Sequence, residues 1–203
     1  MSDFVQGPAA DAAVESQRSE TPASSPPTIL WFWLSAILIL VADLVTKAIV
    51  ADQLPIGGPH VEVLGDFFRL RHIRNSGGLF GLFPGNAIYF AVVSGVAVAV
   101  IVSVVYRSRD RDRLQQLALG LVLGGALGNL HDRIRFREVV DFLDVGVGAH
   151  RWPTFNVADS GVTVGVTILV IWLFIAERRS GREADRSAGG DPHDDASAAD
   201  RPS

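Results

Sequence analysis

Hydrophobic positions along the chain gather into four long runs. The first is Ile29–Val50, ILWFWLSAILILVADLVTKAIV, and the second is Asn86–Tyr106, NAIYFAVVSGVAVAVIVSVVY. Each supplies the roughly 20 apolar residues a bilayer-crossing helix needs. The third run, Leu114–Leu130, and the fourth, Ser160–Ala176, are shorter and carry glycines. Gly120, Gly124 and Gly128, then Gly161 and Gly165, recur every four residues, a spacing that lets helix backbones approach closely in lipid. Between the first two runs, FFRLRHIRN alternates apolar and basic residues from Phe68 to Arg71, the period of a half-buried strand. HVEVLG precedes it, and Pro55, Gly57, Gly58 and Pro59 supply turn chemistry. The pattern predicts an all-α membrane protein with four transmembrane helices. A small antiparallel β element on the membrane surface is expected between helices 1 and 2.

Composition sharpens the boundaries. The chain has 203 residues, 48% of them hydrophobic, but the two ends are rich in Ser, Ala, Pro, Asp and Glu. Neither end has enough apolar surface to offset the entropy of ordering. Residues 1–28 and 181–203 are therefore expected to be disordered cytoplasmic tails around a membrane domain at 29–180. The net charge of −4 belongs largely to these tails and gives no reason to expect a nucleic-acid partner. The chain has no cysteine, which excludes disulfides, thiolate metal sites and a cysteine nucleophile. An acidic stretch precedes the first apolar run and no small-residue cleavage site follows it, so that run reads as a retained helix and not a signal peptide. Four spans put both ends on one side. The basic loop Arg107–Arg113 and the cluster Arg178, Arg179 and Arg182 favour the cytoplasm for that side.

Charged and amide side chains next to lipid are then the informative ones, because a carboxylate there costs a few kcal/mol or more. Asp43 and Lys47 lie one helical turn apart and read first as an i,i+4 ion pair. Asn75 opens NSGGLFGLF, which reads equally as an ordinary loop. GALGNLHDR ends the third run with Asn129, His131, Asp132 and Arg133. These residues can form a structural network at the helix end, with Arg133 neutralising Asp132 and His131 exposed at the interface. A histidine without a second one at ligand spacing argues against a metal site. Asp141 in VVDF and Asp159 in FNVADS differ in having no basic residue beside them on their own element. All these polar groups fall at one membrane face. Two carboxyls close together in a low-dielectric pocket tend to share a single proton, and such a pair can add water to an amide. A proton-coupled transporter also uses intramembrane acids, but spreads them through the membrane depth. A scaffold subunit would not depend on either aspartate.

The blocks VADLVTK, NSGGLFGLF, GGALGNLHDR, VVDF and FNVADS, in this order, resemble the bacterial lipoprotein signal peptidase (signal peptidase II) family. The resemblance spans the whole core. It implies a four-helix aspartic endopeptidase of the bacterial cytoplasmic (inner) membrane, with its site on the extracytoplasmic side. Its substrates would be prolipoproteins, cleaved just before a diacylglyceryl-modified cysteine. Asp141 and Asp159 match the family's catalytic aspartates. Asp43, Asn75, Asn129, Asp132, Arg133 and Asn156 match positions that support the site or contact substrate. No metal or other cofactor is implied, membrane lipids are the surroundings, and a monomer is expected. Asp144 falls on no catalytic position and is assigned to the loop surface. The family often carries an apolar residue where His131 stands, and the tails are longer than a minimal member needs.

Overall fold

The computed structural model describes residues 28–77, 85–107 and 112–188. Both expected tails, up to residue 27 and from residue 189, lie outside the described residues, as do 78–84, which include the end of NSGGLFGLF, and 108–111 of the basic loop. Among the described residues four long helices form: α1 (Ile29–Gln53), α2 (Ala87–Arg107), α3 (Arg113–Phe136) and α4 (Val157–Ala188). They are joined to four strands: β1 (Val61–Leu64), β2 (Phe68–Asn75), β3 (Val139–Val147) and β4 (His150–Arg151).

Three of the helices, over Ile29–Gln53, Ala87–Arg107 and Val157–Arg178, are long and apolar enough to cross a membrane. Their outer faces expose Leu38, Val96 and Leu173, among many aliphatic side chains. Such a surface is untenable in water and is what a span presents to acyl chains. α3 differs because the other helices enclose it. It buries Gln116, Gly120, Gly124, Gly125, Gly128, Asn129, Asp132 and Arg133. A helix walled in by protein has little need of lipid-facing leucines, which accounts for the short apolar run in its sequence. α3 also outruns that run to Phe136, so Asn129, Asp132 and Arg133 project from one helical face. α4 starts three residues earlier than expected and continues to Ala188, past the boundary at which disorder was expected.

The glycine spacing has the expected consequence. A Cβ at Gly120 would collide with the Phe32 carbonyl and Ser35 hydroxyl of α1, and one at Gly124 with the Ala36 carbonyl. On the opposite side of α3, Gly125 meets the Ala158 carbonyl of α4, while Gly165 of α4 meets Ala118 and Val122. α1 and α4 therefore press onto α3 at backbone contact. Phe32, Ala36, Val105, Leu119 and Leu123 form the core at one end of the bundle.

At the other end sits an antiparallel sheet in the order β1-β2-β3-β4. The β element expected between the first two helices is thus only half of it. VVDF opens β3, and β3 and β4 come from the chain between α3 and α4. Val50 at the end of α1 packs on Val140 and Phe142 of β3. The β2–β3 register pairs Leu70 with Leu143 and Ile73 with Asp141, so Arg71 and His72 together oppose the single residue Phe142. This bulge is anchored: the His72 ring Nδ1 lies 2.8 Å from the Leu54 carbonyl, and Gly57 N–H donates to the His72 carbonyl at 2.9 Å.

Candidate active site

Side chains alternate between the faces of a strand, so one extra residue in β2 moves everything beyond it to the other face. With the bulge, Asn75 lies diagonally across from Asp141 on the same face, and its Nδ2 donates to Asp141 Oδ2 at 2.8 Å. The same alternation turns Asp144, three residues further on, away from Asp141. Asp144 is not on a loop surface. It is 1% exposed within β3, accepts from Arg151 Nε at 2.6 Å, and has Arg71 Nη1 at 3.9 Å.

Asp159 enters from the first turn of α4. Asn156, just before the helix, accepts from Asp159 N–H through Oδ1 at 2.9 Å, while its own N–H donates to Asp159 Oδ2 at 3.2 Å. This reciprocal cap satisfies two backbone donors and fixes the carboxylate over the helix start. The Asn156 side chain then reaches across to β3, donating from Nδ2 to Asp141 Oδ1 at 2.8 Å. One asparagine therefore touches both acids. On α3, Asn129 Nδ2 donates to Asp159 Oδ1 at 2.8 Å.

All four carboxylate oxygens of Asp141 and Asp159 thus receive an N–H from an asparagine: Asn75, Asn129, and Asn156 twice. Each amide is held in the donating orientation by what its oxygen accepts. Asn75 Oδ1 takes the Gly77 N–H at 2.9 Å, Asn129 Oδ1 takes the Lys47 ammonium at 3.0 Å, and Asn156 Oδ1 takes the Asp159 N–H. Among the described residues, no basic nitrogen lies within ion-pair distance of either carboxylate. The site holds its two acids with neutral donors. Asp141 consequently has its pKa pushed up to about 7, by burial first and by the neighbouring Asp159 second. The hydrogen bonds from Asn75 and Asn156 and the charge of Lys47 oppose that rise.

Lys47 is the residue whose reach the sequence did not reveal. Its ion pair with Asp43 forms at 2.7 Å, as i,i+4 spacing suggests, but its ammonium also lies 3.0 Å from Asp132 Oδ2 and 3.0 Å from Asn129 Oδ1. At 3% exposure it ties α1 to α3. The two acids it neutralises are themselves structural donors' partners: Asp43 Oδ1 accepts from Ala158 N–H at the start of α4, and Asp132 Oδ2 from Val140 N–H in β3. Asp132 pairs with Lys47 instead of the adjacent Arg133. His131 is exposed, with Nδ1 at 3.3 Å from Asp132 Oδ1. Arg133, expected to neutralise Asp132, points elsewhere. Its guanidinium donates to the Asn129 and Gly77 carbonyls at 3.4 and 3.3 Å and lies over the Phe90 ring, while its buried Nε has no partner among the described residues.

Asp141, Asp159, Asn75, Asn129 and Arg133 line one end of a cleft of about 850 Å³. Its remaining walls are mostly apolar: Val93 and Ala97 of α2, Val122 and Ala126 of α3, and Val162, Val164 and Val166 of α4. Trp152 and Phe155 stand at the polar end. Sequence reasoning did not single out the small hydroxyl-bearing face of α4, Ser160, Thr163 and Thr167, whose spacing of three and four residues is a legible helical stripe. Thr163 and Thr167 donate to the carbonyls one turn back, at 2.8 Å each. An acid pair therefore closes the polar end of a groove that is otherwise fit for hydrocarbon.

Residues 35–175 match the family model described as signal peptidase (SPase) II. The lipoprotein signal peptidase of Syntrophus aciditrophicus is 40% identical over 71% of this chain and 92% of its own. That of Moorella thermoacetica is 41% identical over 75% and 98%, respectively. Among solved structures, a bacterial membrane enzyme determined by the in meso method superposes with a TM-score of 0.64 at 33% identity, covering 70% of this chain and 85% of that one. The match runs through every element that carries the acids, the asparagines and Lys47, and the chain belongs to the signal peptidase II, or lipoprotein signal peptidase, family.

Proposed function

We propose that this chain is a membrane-embedded aspartic endopeptidase that removes signal peptides from prolipoproteins, cutting just before a diacylglyceryl-modified cysteine. The observation that carries this reading is the Asp141–Asp159 pair, held by neutral amides at the polar end of an apolar cleft. A lipid-modified substrate enters laterally, its acyl chains and apolar signal segment lying along α2 and α4. Its scissile amide reaches the acids. The ionised acid takes a proton from water as the water oxygen attacks the carbonyl carbon, and the protonated acid gives its proton to the carbonyl oxygen. Collapse of the tetrahedral intermediate breaks the C–N bond. The proton taken from water passes to the leaving amine, and the carbonyl-side acid recovers its own. No metal and no covalent nucleophile takes part.

In this reading Asn75, Asn129 and Asn156 orient the acids, while Asp43, Lys47 and Asp132 hold the elements that carry them. Arg133 faces the substrate carbonyls from the cleft wall. The peptidase domain comprises residues 29–180, with α3 as the fourth span, in the bacterial cytoplasmic membrane. The acids lie on its extracytoplasmic side, and the chain works as a monomer. The test is incubation of the purified protein with one prolipoprotein in diacylglyceryl-modified and unmodified forms, followed by mass analysis. Cleavage of the modified form alone, one bond before the cysteine, is expected. Equal cleavage of both forms, or of neither, contradicts the proposal.

A further inference from the structure

The site leaves unused a cluster of cations on the far side of the α3 terminus. Phe136, the last residue of α3, is 42% exposed. The Arg74 guanidinium carbon of β2 lies 5.2 Å from its ring centroid, and that of Arg135 lies 5.1 Å from it. The ring therefore holds two guanidiniums from separate elements, and His131 meets its edge at 6.4 Å between centroids. Among the described residues, neither Arg74 nor Arg135 has a carboxylate within ion-pair distance, whereas Arg69 and Arg151 do. Two like charges gathered on one ring without a counter-charge repel each other, and an anion between them would relieve the repulsion. The cluster thus presents planar cations and a partly exposed aromatic ring together.

We infer that Arg74, Arg135 and Phe136 form a binding site for the phosphodiester headgroup of an anionic phospholipid. Guanidiniums bind phosphate oxygens through paired N–H groups, and the stacked ring holds their planes ready for it. The exposed part of Phe136 would lie against that lipid's acyl chains. A soluble anion would leave it in water, which is why a lipid is the better occupant. The ligand is not the proposed substrate, whose diacylglyceryl group carries no phosphate. The occupied site would steady Asn75, the residue after Arg74, and the α3 turn that carries Arg133. The inference rests on the membrane reading of the fold and is independent of the peptidase chemistry.

The full-length protein, reconstituted in nanodiscs of phosphatidylcholine with a minority of phosphatidylglycerol, is extracted in mild detergent, and retained lipid is counted by mass spectrometry. The wild type should retain phosphatidylglycerol in preference to phosphatidylcholine. Removing basic residues at a membrane surface weakens attraction to anionic lipid by about fivefold each, so Arg74→Gln/Arg135→Gln should lose roughly tenfold or more of the preference. Phe136→Leu keeps every charge and should lose part of it. It decides the matter if the double variant folds poorly. Arg113→Gln, at the opposite end of α3, should retain the wild-type preference. Unchanged retention in Phe136→Leu and the double variant overturns the inference. So does displacement of the lipid by inorganic phosphate, which would mark a soluble-anion site.

Discussion

At the scale of single residues, the site separates acids by what surrounds them. Asp43 and Asp132 are ion-paired with Lys47, Asp144 with Arg151, and Asp141 and Asp159 only with amides. Asp141 is raised from 3.8 to about 7, and in the proposed mechanism its proton governs the pH profile. Its folded-state pKa lies above the unfolded one, so the folded protein binds the proton more tightly. The associated stability is complete below about pH 3.8 and is lost as pH rises through about 7. Cleavage should follow the same proton, falling above about pH 7 with a slope of one, measured as initial rate against pH at saturating substrate. Asp144→Asn should act differently. It removes the charge facing the partly buried Arg151 and should lower stability by about 1–3 kcal/mol in thermal unfolding, with turnover per folded molecule retained. Both dyad candidates were legible in the sequence because an unpaired acid among apolar residues is conspicuous. Asp144 looked like a loop residue because its partner Arg151 comes from a two-residue strand that no periodicity can mark. Lys47 showed only its local partner, since contacts to Asn129 and Asp132 depend on how α1 meets α3.

At the scale of elements, the β2 bulge and the cap of α4 decide where the acids meet. Inserting one alanine between Ile73 and Arg74, with Ile73 still paired to Asp141, would turn Asn75 to the face away from Asp141. Cleavage should fall by about a hundredfold, since small misplacements at a reacting centre cost that much. Arg71→Ala, which keeps the residue count, should stay within a few fold of wild type in the same assay. Equal activity of the two variants would disprove the role of this register. The alternation of FFRLRHIRN announced β2, but a bulge depends on the partner strand, and VVDF is too short and too apolar to declare one. The helices were legible from hydrophobic runs, but α3 outruns its run to Phe136, and its small and polar residues reflect enclosure by its neighbours.

At the scale of the whole molecule, apolar helix surfaces, a sheet at one end and an acid pair beside that sheet underlie the proposal of an enzyme whose site faces one side of a membrane. The chain has no cysteine, so single cysteines report sidedness cleanly. His60→Cys, beside the sheet, should react with an impermeant thiol reagent on intact cells or spheroplasts, and Gly181→Cys, at the far end of α4, should not. Labelling of Gly181→Cys alone would reverse the orientation. The central claim is that Asp141 and Asp159 work as one unit, and its most direct measurement is the single-turnover cleavage rate of a diacylglyceryl-modified prolipoprotein by purified Asp141→Asn, Asp159→Asn and the double variant. Asparagine nearly preserves shape but cannot take up and return a proton. Each single variant should therefore bind substrate and lose roughly 100- to 10,000-fold in rate, with the double variant little worse than either. Near-wild-type cleavage by either single variant, or two modest losses that multiply in the double one, would contradict the shared dyad.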